Sequence, residues 1–138
     1  MRDYAYFFQP GPNGETLAEL VAAADACLEG FTDCFNAQDL TGMDAHLHFP
    51  HVMYSGAQRL VWEQPGQLPA DFFSSLVASG WARTVYEDKQ PVLVSSDKVH
   101  FRVRYTRRTG DGRVLSEHEN IWFVTRIDGR WGIALRSY

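Results

Sequence analysis

The most restrictive feature of the chain is the dipeptide Asp128-Gly129, set between the segments Ile121 to Ile127 and Arg130 to Ser137. Such a pair accepts positive φ at both central positions of a two-residue turn, so it closes a hairpin in a defined register. Residues directly opposite in a hairpin share a face. Counting outward puts Thr125 across from Gly132, Val124 across from Ile133, Trp122 across from Leu135 and Asn120 across from Ser137. A second turn is expected within Arg107-Arg108-Thr109-Gly110-Asp111-Gly112-Arg113. With an even loop, odd positions before it lie beside even positions after it. The result is a three-strand meander from Val99 to Tyr138. One face carries Val99, Phe101, Val103, Tyr105, His118, Asn120, Trp122, Val124, Trp131, Ile133, Leu135 and Ser137. The other carries His100, Arg102, Arg104, Thr106, Glu117, Glu119, Ile121, Phe123, Ala134, Arg136 and Tyr138. Apolar against mixed charge is the pattern of an antiparallel sheet covered on one side.

The covering layer is legible upstream. Thr16-Leu17-Ala18-Glu19 has the form of a capping box, and apolar residues from Leu17 to Phe35 recur at helical spacing, predicting a long helix to about Ala37. A short helix to about Leu47 follows, ended by Pro50. His51 to Gly56 and Arg59 to Gln64 read as a hairpin. A third helix starts near Pro69, with Phe72, Phe73, Leu76 and Val77 as its apolar stripe. Ala82 to Val94 reads as a strand in which Pro91 marks a bulge or an edge. Residues 1–14, with Tyr4, Tyr6, Phe7 and Phe8, form an aromatic arm expected to pack on the body or on a neighbouring subunit, and residues 15–138 form one domain.

Composition excludes some partners. A formal charge of -4 argues against nucleic acid or an anionic membrane as the main partner. No signal peptide or membrane span is visible. Cys27 and Cys34, seven apart on a predicted helix, are too distant for a disulfide and read as thiols of a reducing, cytoplasmic compartment.

The element order α-α-β-β-α-β-β-β-β resembles the nuclear transport factor two-like superfamily, and most nearly its SnoaL-like branch of polyketide cyclases and ketosteroid isomerases. The resemblance rests on the long first helix leading into FNAQDLTGMDAHLHFPHV, on the hairpin after it, and on the ending DGRWGIALRS. It implies an α+β roll of the cystatin-like kind, a curved, mostly antiparallel sheet wrapped as a cone around three helices. It further implies a pocket between helices and concave face, and a homodimer through the outer side of the sheet.

On the predicted inner face the polar residues gather at one corner: Tyr105, His118, Asn120 and Ser137. His118 titrates near neutrality and could act as a general base, with Tyr105 and Asn120 donating to a developing oxyanion. That set suits cofactor-independent isomerisation, cyclisation or dehydration. The alternative is a corner of polar groups that satisfy one another, within a domain that binds a small apolar or aromatic molecule without transforming it. His51, Tyr54, Trp62, Trp122 and Ser137 are the expected ligand contacts, and Arg136 joins them if one β-bulge turns it inward. The resembled isomerases place an acidic base on the first hairpin. HVMYSG has Tyr54 and Ser55 there, so a steroid-isomerase mechanism does not fit. His46, His48 and His51 have a spacing that could suggest a metal, but His46 and His48 would not share a helical face, and hydrogen bonding at a helix end is the expectation. Arg102, Arg104, Arg107 and Arg108, interleaved with acids, read as a solvated or dimer-facing surface rather than an anion site.

Overall fold

A computed structural model describes residues 14–138, and the expected aromatic arm of Tyr4 to Phe8 lies outside them. Helix α1 (Leu17–Asn36) and helix α2 (Leu40–Ala45) lead into strands β1 (Leu47–Ser55) and β2 (Gln58–Trp62). Helix α3 (Phe72–Ala78) precedes β3 (Arg83–Ser95), β4 (Lys98–Arg108), β5 (Val114–Ile127) and β6 (Arg130–Ser137). The strands form one six-stranded sheet in the order β2-β1-β6-β5-β4-β3, antiparallel except for the β1–β6 pair. This is the expected α+β roll, with helices on one face. No helix among the described residues is long and apolar enough to cross a membrane.

Helix α1 begins where Thr16 Oγ1 accepts the Glu19 amide at 3.1 Å. It buries Leu20, Ala24, Cys27, Leu28 and Phe31 against the sheet. Its C-terminal residue fastens it to the sheet edge. Asn36 Nδ2 donates to Thr84 O at 3.0 Å, while Thr84 N donates to Asn36 Oδ1 at 2.8 Å. A side-chain amide thus completes the ladder of β3, an edge strand that would otherwise present unpaired backbone groups.

The meander follows its sequence pattern closely. Asp128 and Gly129 take φ of 52° and 77°, as the expected turn requires. Phe101 pairs with Trp122, Val103 with Asn120 and Tyr105 with His118. Pro91 lies on an edge strand, and the extra residue beside it, Val92, forms a bulge.

Three expectations need correction. Trp122 does not face Leu135, nor Asn120 Ser137. Val124 pairs with Ile133, but Phe123 pairs with Leu135, Trp122 with Arg136 and Ile121 with Ser137. Ala134 is the extra residue, and the bulge reverses every side chain after it, turning Arg136 inward and Leu135 and Ser137 outward. Second, the short helix stops at Ala45 and Pro50 lies within β1 rather than ending a helix. Leu47 already pairs with Ile133, and the proline, lacking an N–H, falls where the β1–β6 register breaks between Leu47 and Val52. Third, Val77 is exposed, so the stripe of α3 is built on Phe72, Phe73 and Leu76.

Replacing Asn36 by alanine orphans both backbone groups of Thr84 at a half-buried site. The variant is expected to lose about 1–3 kcal/mol of unfolding free energy in urea. A loss no larger than that of an exposed surface substitution would show that the edge is closed some other way.

Candidate functional site

Between the helices and the concave face lies a cavity of about 470 Å³, a size that suits a small organic ligand. Its wall is largely aromatic and aliphatic, with Phe31, Phe35, Met43, Met53, Trp62, Phe72, Tyr86 and Trp122 among the lining residues. Ser55, Leu60 and Pro69 are exposed as well as lining, which marks the rim, whereas Phe31, Tyr105 and Trp122 are buried. The edge-on packing of Phe31 against Trp122, centroids 6.0 Å apart, fixes part of this wall.

Arg136 is the charged centre of the site. It is only 7% exposed and lines the cavity. Its Nε donates to His51 Nε2 at 3.0 Å and its Nη2 to the weak acceptor Met53 Sδ at 3.2 Å. The guanidinium carbon lies 5.2 Å from the ring centroid of Phe31 and 5.8 Å from that of Trp122, with Trp62 and Tyr138 each at 5.9 Å. Such contacts contribute roughly 0.5–2 kcal/mol each. They hold the cation without cancelling its charge.

His51 sits behind Arg136, fully buried and outside the cavity wall. Its Nδ1 donates to Ile133 O at 2.9 Å, which leaves the Nε2 lone pair to receive Arg136. Burial, then the neighbouring Arg136 charge, pushes the imidazole down to about 3. It is neutral at any working pH and serves to aim the guanidinium.

The second polar group is the stacked pair Tyr105 and His118, centroids 4.7 Å apart and both lining the cavity. Ser116 Oγ lies 2.8 Å from His118 Nε2. Burial and the Arg107 charge lower the His118 affinity for a proton, so the ring is neutral. Burial, followed by the nearby Tyr138, pushes the Tyr105 phenol up to about 12, which keeps it a donor.

Of the residues singled out in the sequence, the cavity wall contains Tyr105, His118, Trp62, Trp122 and Arg136. Asn120 faces inward and is buried, but it is not part of that wall, and its Nδ2 has no partner among the described residues. Ser137 and Tyr54 pair with each other on the outer face, one through the Ala134 bulge and the other because Met53 and Ser55 take the inward positions of β1. The wall also holds Arg107, expected on a solvated or dimer-facing surface, and Tyr138, expected on the outer face, together with Thr32, Thr84 and Tyr86, which the sequence pattern does not single out. Arg107 was assigned to a turn, yet β4 runs on to Arg108, and the odd-position rule that placed Tyr105 inward applies equally to it.

The three histidines of the short-helix region diverge. His46 Nδ1 is 2.7 Å from Gly42 O, and His48 Nε2 is 2.8 Å from Thr125 O, so each ring is committed to backbone. Glycines make room for them: a Cβ on Gly30 would come within 2.3 Å of the His46 ring, and one on Gly132 within 2.8 Å of the His48 ring. Among the described residues, no group of three His, Cys, Asp or Glu side chains is arranged to hold a metal ion.

A conical roll with an apolar cavity and a few inward polar groups defines a class of small α+β proteins. The chain belongs to the NTF2-like family described as NTF2-like protein (DUF6841), whose model matches residues 18–136. Solved structures share the fold. An NTF2-like protein with a cystatin-like fold from Novosphingobium aromaticivorans has a TM-score of 0.68 at 14% identity, over 88% of this chain and 81% of that one. A protein of unknown function with a cystatin-like fold from Nostoc punctiforme has a TM-score of 0.66 at 12% identity, over 89% and 92%. A ketosteroid isomerase-like protein from Erwinia carotovora atroseptica has a TM-score of 0.59 at 19% identity, over 86% and 94%. No curated protein matches the chain.

The buried histidines set the acid limb of stability. His51 must stay neutral in the folded state but takes a proton near its ordinary value when unfolded, so the unfolded chain binds more protons as pH falls below about 6.5. His48, His100 and His118 are shifted the same way, each chiefly by burial. Unfolding free energy is therefore expected to be full above about pH 6.5 and to fall below it, His51 contributing at most about 1.4 kcal/mol per pH unit. Urea titrations between pH 7.5 and 4.5 measure this, and His51→Gln should flatten the slope.

Proposed function

We propose that the chain binds a small, largely apolar or aromatic molecule in the cone cavity, within the SnoaL-like likeness. The observation that carries this reading is the combination of a cavity of about 470 Å³ with a wall dominated by aromatic rings. The outer face supports a homodimer. A row runs across all six strands through Val61, Val52, Leu135, Phe123, His100 and Leu93, mostly apolar, with His100 stacked on Phe123 at 3.7 Å. Free Cys27 and Cys34 fit a reducing, cytoplasmic setting.

A thermal-shift panel of aromatic and short aliphatic compounds, acids and neutral amides alike, tests the reading. A ligand at about ten times its Kd stabilises by about 1.4 kcal/mol, a shift of a few degrees. Leu60→Trp, which narrows the rim at an exposed position, is expected to abolish the shift while changing intrinsic stability by less than about 0.5 kcal/mol. A panel without a single shift would remove the cavity as a binding site.

The stacked His118–Tyr105 pair supports a second reading, a cofactor-independent isomerase, cyclase or dehydratase in which neutral His118 accepts a proton and Tyr105 donates to the oxygen that gains charge. Asn120 lies outside the cavity wall, and the second donor in this reading is Trp122, whose indole N–H is buried in that wall without a partner among the described residues. On any substrate found, turnover should hold on the alkaline side and decline only as His118 is protonated, below about 6.5. His118→Gln should cost about 10²–10⁴-fold in kcat. Undiminished turnover by that variant would exclude the residue.

A further inference from the structure

We infer that the cavity selects an organic anion, a carboxylate on an aromatic or aliphatic body, with its head on Arg136 and the neighbouring donors; the inference rests on the cavity being a ligand site. The argument begins from charge. Among the described residues no aspartate or glutamate lines the cavity, whereas two arginines do, Arg107 and Arg136. Arg136, more than nine-tenths buried, makes no ion pair among the described residues, and the neighbour that orients it, His51, is itself neutral. Guanidinium cannot shed its proton as a buried lysine or histidine can. A buried cation with no counterion is costly to retain.

The hydrogen-bond inventory points the same way. Arg136 has five N–H donors and, among the described residues, commits only Nε, to His51, and one Nη2 contact, to a thioether. Arg107 Nε and Trp122 Nε1, both in the same wall, are buried with no acceptor among the described residues. The wall thus has a surplus of donors and of positive charge. A ligand that satisfies it must bring acceptors and negative charge at one end and apolar surface at the other, which is the chemistry of a carboxylate on a hydrocarbon body.

Isothermal titration with three isosteric pairs tests this on the unmodified protein: benzoate and benzamide, 2-naphthoate and 2-naphthamide, octanoate and octanamide. At least one acid is expected to bind about ten-fold or more tightly than its amide, since a charged hydrogen-bonded pair exceeds a neutral one by that order. Arg136→Met, checked for folding by circular dichroism, should weaken the acid far more than the amide and so erase the preference. If that variant does not fold, Trp122→Phe and Arg107→Met should each reduce the preference. Amides that bind as tightly as their acids in every pair that binds would overturn the inference and leave the apolar cavity standing. Failure of all six compounds at roughly millimolar concentration would overturn the cavity reading and this one with it.

Discussion

The hydrogen bond from Arg136 Nε to His51 Nε2 joins the last strand to the first and sets the character of the cavity between them. Its geometry is prepared three residues earlier on the same strand. Ile133 O accepts the N–H of His51 Nδ1, so the other ring nitrogen offers a lone pair, and Arg136 of the same strand donates to it. Both ladders of β6 break register at the same place: Ile133 and Leu135 are paired on either side, and Ala134 is left over. Without that extra residue, Leu135 would face the helices and the arginine would face solvent.

Several cations at the flanks of the sheet are neutralised by carboxylates. Arg108 pairs with Glu87 at 2.5 Å, Arg126 with Glu15 at 2.8 Å, and Lys89 with Asp25 at 2.7 Å and with Glu29. Arg130 caps the carbonyls of Ala45 and Leu47 at 2.9 and 3.0 Å. These contacts lie at the flanks of the sheet, where solvent screens them and each contributes modestly. The contrast with Arg136 is one of dielectric as much as of partners. A cation ringed by Phe31, Trp62, Trp122 and Tyr138 interacts strongly with any charge that enters.

The helical layer is held in place by polar contacts placed among apolar ones. Asn36 closes the β3 edge, Tyr86 donates from that strand to Leu28 O at 3.0 Å, and Lys89 reaches the acids of α1 from the same strand. The helix is thereby fixed over the concave face at several points along its length. His46 and His48 do comparable work at the other end, their rings filling space that Gly30 and Gly132 leave open. That use of histidine is not visible in a spacing pattern, because the glycine and the histidine it accommodates are far apart in sequence.

Local rules sufficed for the element order, the Asp128-Gly129 turn, the pairing of Tyr105 with His118 and the inward aromatic set. Each depends on backbone conformations or alternations spanning a few residues, and next to the turn, as far as Val124 and Ile133, the hairpin register follows from turn geometry. The passage of β1 through Pro50, the position of Arg136, the removal of Ser137 and Tyr54 to the outer face and the commitment of His51 to Arg136 were decided in three dimensions. The reason is that β6 serves two ladders at once, antiparallel to β5 and parallel to β1, and must reconcile them by one extra residue. Chain-local alternation carries no record of a partner strand some eighty residues away.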